Sequence, residues 1–360
     1  MIDAMDLVRR HFHPVLPASK LGKTPVQVQI AGTSFALFRD ASGRAAALLD
    51  RCPHRFAPLS KGHVRPDGRL ACAYHGWNFD AQGHGRSPSQ PTLAKCDVAS
   101  FQVVERHGYL WLSARGTSPS LVPDLGWEDF ELSGAFATRF EAPLHVAFDN
   151  FSEDEHTPWV HNFLGWTESG AAELDFEAKN FDDRTEVRYT GKQRPSVWAR
   201  FLLLKPGDVF HNEWVTTFSP VCSIYTMHWT SPSGERRPVT AKIPIFFVPE
   251  TETTCSLHTF VFSRLDDPRF RPLLPIIRRI AMLVAYNEVM DDARFVPNVA
   301  STPFEMKGMR LGKYDKPLVH NHRLLRSLYY GEKVDPASRD TATWIGDPTA
   351  PAGDPPWLPQ

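Results

Sequence analysis

Two short segments that each pair one cysteine with one histidine constrain this 360-residue chain more than any other feature. In the first segment one residue separates Cys52 from His54, and in the second two residues separate Cys72 from His75. Seventeen residues, 55 to 71, lie between the segments. Thiolates and imidazoles at such spacings are typical of metal ligands. The chain must therefore fold so that two short loops meet.

Two cysteines and two histidines at these positions have three possible explanations: a zinc site, a disulfide or an iron–sulfur cluster. Structural zinc sites usually space like ligands together, as Cys-x2-4-Cys and His-x3-5-His, whereas each segment here mixes the two types. A disulfide between Cys52 and Cys72 would leave both histidines unexplained. A Rieske [2Fe–2S] cluster has cysteines on one iron and histidines on the other, which requires this ligand set. The spacing therefore favours the cluster over a zinc ion.

The two segments resemble the cluster-binding motif of the Rieske non-haem iron oxygenases. We therefore predict that Cys52, His54, Cys72 and His75 ligate a [2Fe–2S] cluster. The other three cysteines are scattered, and we expect them to be ordinary buried thiols: Cys96, Cys222 and Cys255.

Short β-rich runs surround the two segments. The runs Val26–Ile30, Phe35–Phe38 and Ala45–Leu49 are separated by turn-forming residues, and a further pair, Phe101–Val104 and Tyr109–Leu112, predicts a hairpin. Glycine, serine and proline are frequent between residues 113 and 124. The sequence therefore predicts a small antiparallel β domain over residues 1–117 with both metal loops at one end.

A second motif lies between residues 149 and 161, where His156 and His161 follow a run of carboxylates. A mononuclear ferrous site in an oxygenase needs two histidines and one carboxylate. On an ideal helix, residues five apart point about 140° away from each other, so the two imidazoles could not share one ion. We therefore predict a break or π-type bulge at Pro158, with Thr157 outside the α region.

This motif resembles the Asn-x2-Asp-x2-His-x4-His element of the Rieske oxygenases, especially the branch of the vanillate and dicamba O-demethylases. The resemblance implies that His156 and His161 are iron ligands and that Asn150 corresponds to the asparagine of the family's motif. The family's aspartate links a cluster histidine of one subunit to an iron histidine of the next. That position is occupied by Glu153, and Asp154 is the alternative.

The third iron ligand should be a carboxylate on a helix that begins near Pro272, after strands between residues 174 and 265. We predict one buried stripe on this helix, formed by Leu273, Ile276, Ile277, Ile280, Leu283 and Val284. The resemblance places the ligand at Asp292, whereas the periodicity favours Asp291, seven residues after Val284. We predict Asp292, with the helix distorted near the metal.

The chain as a whole is predicted to be an α+β protein. Residues 118–335 should form a catalytic domain with an antiparallel sheet flanked by helices, similar to a helix-grip fold. Residues 336–360 are rich in proline, aspartate, alanine and glycine, so we expect an extended or disordered tail.

The composition excludes some classes of function. A net charge of −1 and a pI near 7.0 argue against a nucleic-acid or membrane-surface binder. The N-terminus lacks a basic segment followed by an apolar run, and no window reaches eighteen apolar residues without a charge. We therefore expect a soluble cytoplasmic protein.

The resemblance implies a terminal oxygenase that uses dioxygen and NAD(P)H electrons from a reductase of the flavin or ferredoxin type. Its expected reaction is monooxygenation of a small organic substrate, aromatic or cyclic, by hydroxylation or O- or N-dealkylation. Subunits of this family form head-to-tail rings, so a homotrimer is expected. The alternatives are an aromatic-ring dioxygenase, a Rieske electron-transfer protein and a zinc-bound structural protein.

Overall fold

The computed structural model describes residues 3–90, 96–167, 170, 174–306 and 308–334, and the backbone of 343–344. The chain forms two compact units. The first contains Met1–Trp127 and Val248–Glu252, and the second contains Glu128–Phe247 and the chain from Thr253 onward. Apart from the backbone of 343–344, the predicted tail at 336–360 lies outside the described residues.

The first unit consists mainly of short antiparallel strands. Six strands form one sheet in the spatial order β1–β10–β9–β4–β3–β2, and four form a second in the order β5–β6–β7–β8. The strands are β1 (His13–Pro17), β2 (Val26–Ile30), β3 (Thr33–Arg39), β4 (Ala45–Leu49), β5 (His63–Val64), β6 (Leu70–Ala71), β7 (Asn78–Phe79), β8 (Gly85–Arg86), β9 (Ser100–Arg106) and β10 (Tyr109–Ala114). A single helix, α1 (Ala4–Arg10), precedes them among the described residues of this unit.

The turns of this unit explain its hairpins. His107 and Gly108, between β9 and β10, have φ angles of 53° and 73°. Ala31 and Gly32, between β2 and β3, have φ angles of 44° and 79°. Two successive residues with positive φ form the type I′ turn that matches the twist of paired strands. The predicted hairpin through His107 and Gly108 is present.

The second unit contains a seven-stranded antiparallel sheet in the order β11–β17–β16–β15–β14–β13–β12. Its strands are β11 (Glu131–Phe140), β12 (Asp175–Asn180), β13 (Arg184–Lys192), β14 (Val209–Phe218), β15 (Val221–Thr230), β16 (Arg236–Pro249) and β17 (Cys255–Leu265). Burial alternates along β14, so that Phe210, Asn212 and Trp214 point to the same side of the sheet. A short parallel pair joins β18 (Arg310–Leu311) to β19 (Thr343–Trp344).

Five α-helices accompany this sheet in the described part of the chain: α2 (Leu144–Asn150), α3 (Thr157–Val160), α4 (Val197–Phe201), α5 (Leu274–Phe295) and α6 (Lys316–Leu324). A single π-helical turn, Leu325–Tyr329, continues α6. Together with the first unit they confirm the predicted α+β fold. No described helix combines the length and the apolar character that a membrane crossing requires.

The buried face of α5 differs from the predicted stripe. Its buried residues are Ile277, Ala281, Val284, Ala285, Glu288, Val289 and Asp292. Leu273, Ile276 and Leu283 are exposed instead, so their assignment to the buried stripe was wrong. The helix packs on the sheet through the small residues Ala281 and Ala285, which contact Val261 of β17. Large aliphatic residues were therefore a poor guide to the face that approaches the sheet.

Candidate functional site

The two loops that carry Cys52 and Cys72 share one backbone pattern. In each loop the cysteine carbonyl accepts a hydrogen bond from the N–H four residues later, and the cysteine N–H donates to the carbonyl five residues later. These distances are 2.8 and 2.9 Å at Cys52 and 3.0 and 2.7 Å at Cys72. The fourth residue has a positive φ in both loops, 62° at Phe56 and 71° at Gly76. The loops therefore present their side chains in equivalent ways.

Within these loops the thiols are buried and the imidazoles are exposed. Cys52 and Cys72 belong to one hydrophobic cluster, and both thiols are free. Burial raises the pKa of Cys52 to about 11, so a thiolate there needs a positive charge such as a metal beside it. The rings of His54 and His75 lie 4.5 Å apart, and His54 stacks on Trp77. This ligand set fits a cluster whose histidine-bound iron faces outward.

The second centre is built around the short helix α3. His156 is the N-cap of α3 with helical backbone angles, and His161 is its C-cap with extended angles, φ −94° and ψ 157°. Because the chain leaves the helical path at His161, the two Nε2 atoms approach to 3.2 Å. Pro158 lies in the first turn of α3 and Thr157 is helical, so the predicted break at Pro158 was wrong. Proline is favourable in a first turn because the N–H it lacks has no partner there.

Asp292 of α5 completes a triangle with the two histidines. Its Oδ1 lies 3.5 Å from His156 Nε2 and 3.4 Å from His161 Nε2. The centre of this triangle is about 1.9 Å from each atom, so an ion slightly above its plane would lie at the metal–ligand distances of about 2.0–2.2 Å common in proteins. Two imidazoles and one carboxylate on one side of an ion form the ligand set of non-haem ferrous oxygenases. The residues therefore fit a mononuclear iron.

The charges of this centre favour a bound cation. Burial raises the pKa of Asp292 to about 7, although His156 and the side chain of Asn150 act in the opposite direction. Burial is the largest single effect on the pKa of His156 and acts to lower it, but the neighbouring carboxylates, Glu153 foremost and then Asp292 and Asp154, together raise that pKa to about 9. Burial thus favours the neutral form of Asp292, and the surrounding carboxylates favour the positively charged form of His156. A metal cation would replace that positive charge.

The carboxylates before His156 differ in their contacts. Glu153 Oε1 lies 2.6 Å from His156 Nδ1, and its Oε2 accepts from the main-chain amides of Glu155 and His156. Asp154 Oδ2, in contrast, has no hydrogen-bond partner within the described part of the chain, and burial raises the pKa of this residue to about 8. Asn150 borders the same pocket beside Asp292. Of the two candidate carboxylates, Glu153 is therefore the one that orients His156.

Glu288 is a site residue that the sequence reasoning missed. Its carboxylate accepts from the main-chain amides of Phe163 (3.1 Å) and Leu164 (3.0 Å), and its Oε2 lies 3.4 Å from His161 Nδ1. Burial raises the pKa of Glu288 to about 7. Its position four residues before Asp292, on the same helix face, was the available signal. The other acid of the pair, Asp291, forms an ion pair with Arg294 at 2.8 Å.

A mostly apolar pocket ends at the three candidate ligands. Its empty volume is about 590 Å³ including its open mouth, within the usual range for small-molecule sites. The apolar wall consists chiefly of Phe210, Met227, Ile243, Ile245 and Val289. The arrangement can hold a small organic molecule against the metal while keeping bulk water away.

Two family models match this chain. Residues 11–102 match the Rieske [2Fe-2S] domain, and residues 140–288 match the vanillate O-demethylase oxygenase C-terminal domain. The oxygenase component of dicamba O-demethylase from Stenotrophomonas maltophilia is 27% identical over 287 residues, which cover 75% of this chain and 83% of that protein. The crystal structure of dicamba monooxygenase bound to dicamba superimposes with a TM-score of 0.70 at 25% identity, covering 89% of this chain and 97% of that one.

Two further relatives match over shorter segments. The vanillate O-demethylase oxygenase subunit of a Pseudomonas strain is 35% identical over 138 residues, 37% of this chain and 42% of the relative. The chloroplastic protein TIC 55 of Pisum sativum is 30% identical over 200 residues, 52% of this chain and 36% of the relative. The matched segments thus span less than half the length of these two proteins. With a Rieske [2Fe–2S] domain followed by a vanillate O-demethylase oxygenase C-terminal domain, the chain belongs to the Rieske non-haem iron oxygenases.

Proposed function

We propose that this protein is the terminal oxygenase of a Rieske system that monooxygenates a small aromatic substrate by hydroxylation or O- or N-dealkylation. The observation that carries the proposal is the convergence of His156, His161 and Asp292 at the end of an apolar pocket. An electron carrier would need only the cluster. The similarity to O-demethylases supports monooxygenation over ring dioxygenation.

The ligand assignments form part of this proposal. Cys52, His54, Cys72 and His75 would hold the cluster, and the triad of His156, His161 and Asp292 would hold the iron. When bound, the cluster supplies electrons singly and the ferrous ion activates dioxygen.

The surrounding residues prepare this centre. Glu153 keeps the proton of His156 on Nδ1, so that Nε2 retains its lone pair. Glu288 fixes the chain after His161, and the apolar wall orients the substrate and excludes water.

The electrons come from NAD(P)H through a reductase of the flavin or ferredoxin type. O-Demethylation, as one example, converts a methyl ether, dioxygen, two electrons and two protons into a hydroxyl compound, formaldehyde and water. The five cysteines form no disulfide in the described part of the chain, which is consistent with a reducing compartment, and we place the protein in the cytoplasm.

We further propose a head-to-tail homotrimer in which the cluster tip of one subunit meets the iron side of the next. Phe56 and Tyr74, beside the cluster histidines, are 61% and 58% exposed. Trp159, between the two iron histidines, is 67% exposed and lines a surface concavity together with Phe295. Large exposed aromatic residues at both ends of the electron path support such a contact.

A Trp159→Ala variant tests this arrangement. It should keep both metals, lose the trimer in sedimentation analysis and slow reoxidation of the reduced cluster by at least about tenfold. A control substitution at another exposed apolar residue, Val197→Ala, should change neither property. An intact trimer with unchanged kinetics in Trp159→Ala would remove this surface from the proposed interface.

The proposed function itself is tested by metal analysis of anaerobically purified protein together with EPR of the reduced sample. About three irons and two acid-labile sulfides per chain, with a Rieske-type signal, are expected for a cluster plus mononuclear iron. A His156→Ala variant should fall to about two irons, keep its visible spectrum and lose turnover. Two irons in the unaltered protein, with no uptake of added Fe(II), would instead indicate an electron carrier.

A further inference from the structure

We propose that the substrate is an uncharged aromatic molecule with an N–H or O–H group, and that Asn212 accepts a hydrogen bond from that group. The inference rests on the proposed function, because it takes the pocket beside the iron ligands as the substrate pocket. It is carried by the charges that border the pocket and by an unpaired amide oxygen in its wall.

The charged groups bordering this pocket are mostly acidic. Four carboxyl side chains line it, Glu153, Asp154, Glu288 and Asp292, and no lysine or arginine does among the described residues. A buried anionic group normally needs a cationic partner or several N–H donors. Histidine is the remaining basic type in the lining, and His156 and His161 are assigned to the iron. The two positive charges of a ferrous ion would be balanced by Asp292 and by Glu153. A carboxylate substrate would therefore find no compensating charge.

Arg194 approaches the iron-site segment but does not line the pocket. Its guanidinium donates to the main-chain carbonyls of Thr157 and His161. These bonds hold the segment that carries the histidines. The guanidinium is therefore a structural support and not an anchor for a substrate carboxylate.

Asn212 supplies the specific polar contact. It lies on β14, lines the pocket and is only 3% exposed. It lies opposite Tyr189 of the neighbouring strand β13, and its Oδ1 has no partner among the residues that the structure describes. An unpaired buried acceptor is unfavourable, and a ligand that donates to it removes this penalty. An amide oxygen selects N–H and O–H groups and disfavours a carboxylate.

Two other hydroxyl groups of the pocket are already engaged. Tyr225 donates its hydroxyl to the main-chain carbonyl of Phe151, and Thr157 donates its hydroxyl to the main-chain carbonyl of Asp154. The wall near Asn212 is otherwise apolar, with Phe210 and Met227 beside it along β14 and β15. A flat apolar body with one hydrogen-bond donor therefore matches the pocket better than a charged acid does.

Three probes of nearly equal size separate charge from hydrogen bonding: 4-methoxybenzamide, methyl 4-methoxybenzoate and 4-methoxybenzoate. The first is uncharged with an N–H donor, the second is uncharged without one, and the third is an anion near neutral pH. Binding to the anaerobic holoenzyme is measured by titration calorimetry without reductase. The Kd of the amide should be at least about tenfold below that of the carboxylate, and also below that of the ester.

Two variants make the result specific. Asn212→Leu keeps a similar volume and should raise the Kd of the amide to that of the ester, while the Kd of the ester stays within about twofold. Met227→Lys places a cation in the apolar wall and should improve carboxylate binding by at least about tenfold. Both variants are compared at matched iron and sulfide content, so that a folding defect is recognised before binding is interpreted.

The outcomes distinguish this inference from the proposed function. Equal or tighter binding of the carboxylate, an amide preference that survives in Asn212→Leu, or no binding of any probe would overturn the inference. Oxygen-dependent formaldehyde release from the carboxylate alone would also overturn it but would support the oxygenase. If the amide binds in an Asn212-dependent manner but a reduced, iron-loaded enzyme forms no product, the inference about the pocket is supported and the proposed oxygenase function is contradicted.

Discussion

His156 Nδ1 lies 2.6 Å from Oε1 of Glu153, and this contact decides which ring nitrogen of the histidine carries the proton. A carboxylate can only accept a hydrogen bond, so Nδ1 keeps its proton, and Nε2, which faces Asp292 and His161, is the nitrogen that would give up its proton to a metal. The main-chain amides of Glu155 and His156 hold the other oxygen of Glu153. The ring is therefore oriented as a ligand by the short segment that precedes it.

Replacing Glu153 by glutamine should preserve both metal centres but slow oxidation of the reduced cluster by about tenfold or more. The amide oxygen can still accept from Nδ1, but the negative charge that raises the pKa of His156 is lost. Stopped-flow single-turnover measurements of the cluster absorbance report this rate. Glu155→Gln is the matched control, because that side chain is exposed and does not contact the ring. Unchanged kinetics in Glu153→Gln would remove the residue from the link between centres.

The adjacent acids Asp291 and Asp292 allow a paired test of the third ligand. Asp292→Asn should lose the mononuclear iron and turnover while the cluster spectrum persists, because the amide is a neutral and much weaker ligand. Asp291→Asn should keep the iron, since its carboxylate is paired with Arg294 at the surface. Iron per chain is measured after dialysis against a weak chelator. Iron loss confined to Asp291→Asn would reverse the assignment.

Glu288→Gln should lower the affinity for the mononuclear iron by about 10–100-fold without affecting the cluster. In the unaltered protein the carboxylate accepts a hydrogen bond from each of two main-chain amides. A glutamine side chain has only one oxygen, so its NH₂ group would face one of these N–H donors and could not bond to it. The segment after His161 would then shift. Equilibrium titration with Fe(II) measures the change, with the exposed Asn287→Gln as the control on the same helix. Wild-type affinity in Glu288→Gln would show that the segment holds its place without this contact.

The parts of the site that lie close together in sequence could be predicted. The ligand spacing of the two cysteine loops is local, and the β-hairpins of the first unit follow from alternating residues and from turns such as His107-Gly108. The motif ending in His156 and His161 is also local. Its geometry was not predictable in detail, because Pro158 can either break a helix or begin one and the sequence alone does not show where α3 starts.

Contacts between segments that are distant in the sequence could not be predicted. The face of α5 that packs on the sheet is chosen by the fit of Ala281 and Ala285 against Val261, and the larger Ile276 and Leu283 remain exposed. Helical spacing places Glu288 on the same face as Asp292, but its partner Phe163 is 125 residues away in the sequence, so the contact itself could not be predicted. Such contacts depend on how distant segments pack together, and this packing cannot be inferred from helical periodicity.

His258 makes the stability of the second unit sensitive to acid. It lies on β17 opposite Ala137 of β11, is 3% exposed, and its Nε2 is 3.1 Å from Ser256 Oγ. Burial lowers the pKa of His258 from 6.5 to about 3. Above pH 6.5 the ring is neutral in both the folded and the unfolded state and has no effect. As the pH falls below 6.5 the unfolded state gains a proton that the folded state does not, so the free energy of unfolding decreases.

At pH 5 this difference should cost about 2 kcal/mol of the free energy of unfolding. His258→Gln keeps a hydrogen-bonding side chain of similar size but cannot ionise, so it should lose less stability between pH 7.5 and 5. Urea denaturation followed by tryptophan fluorescence at the two pH values measures both proteins, and acid effects common to the metal centres cancel in the comparison. Between pH 7.5 and 5 the free energy of unfolding of the variant should fall by about 2 kcal/mol less than that of the unaltered protein. This difference is independent of any difference in stability between the two proteins at pH 7.5. Parallel pH profiles would mean that His258 accepts its proton in the folded state as readily as in the unfolded one.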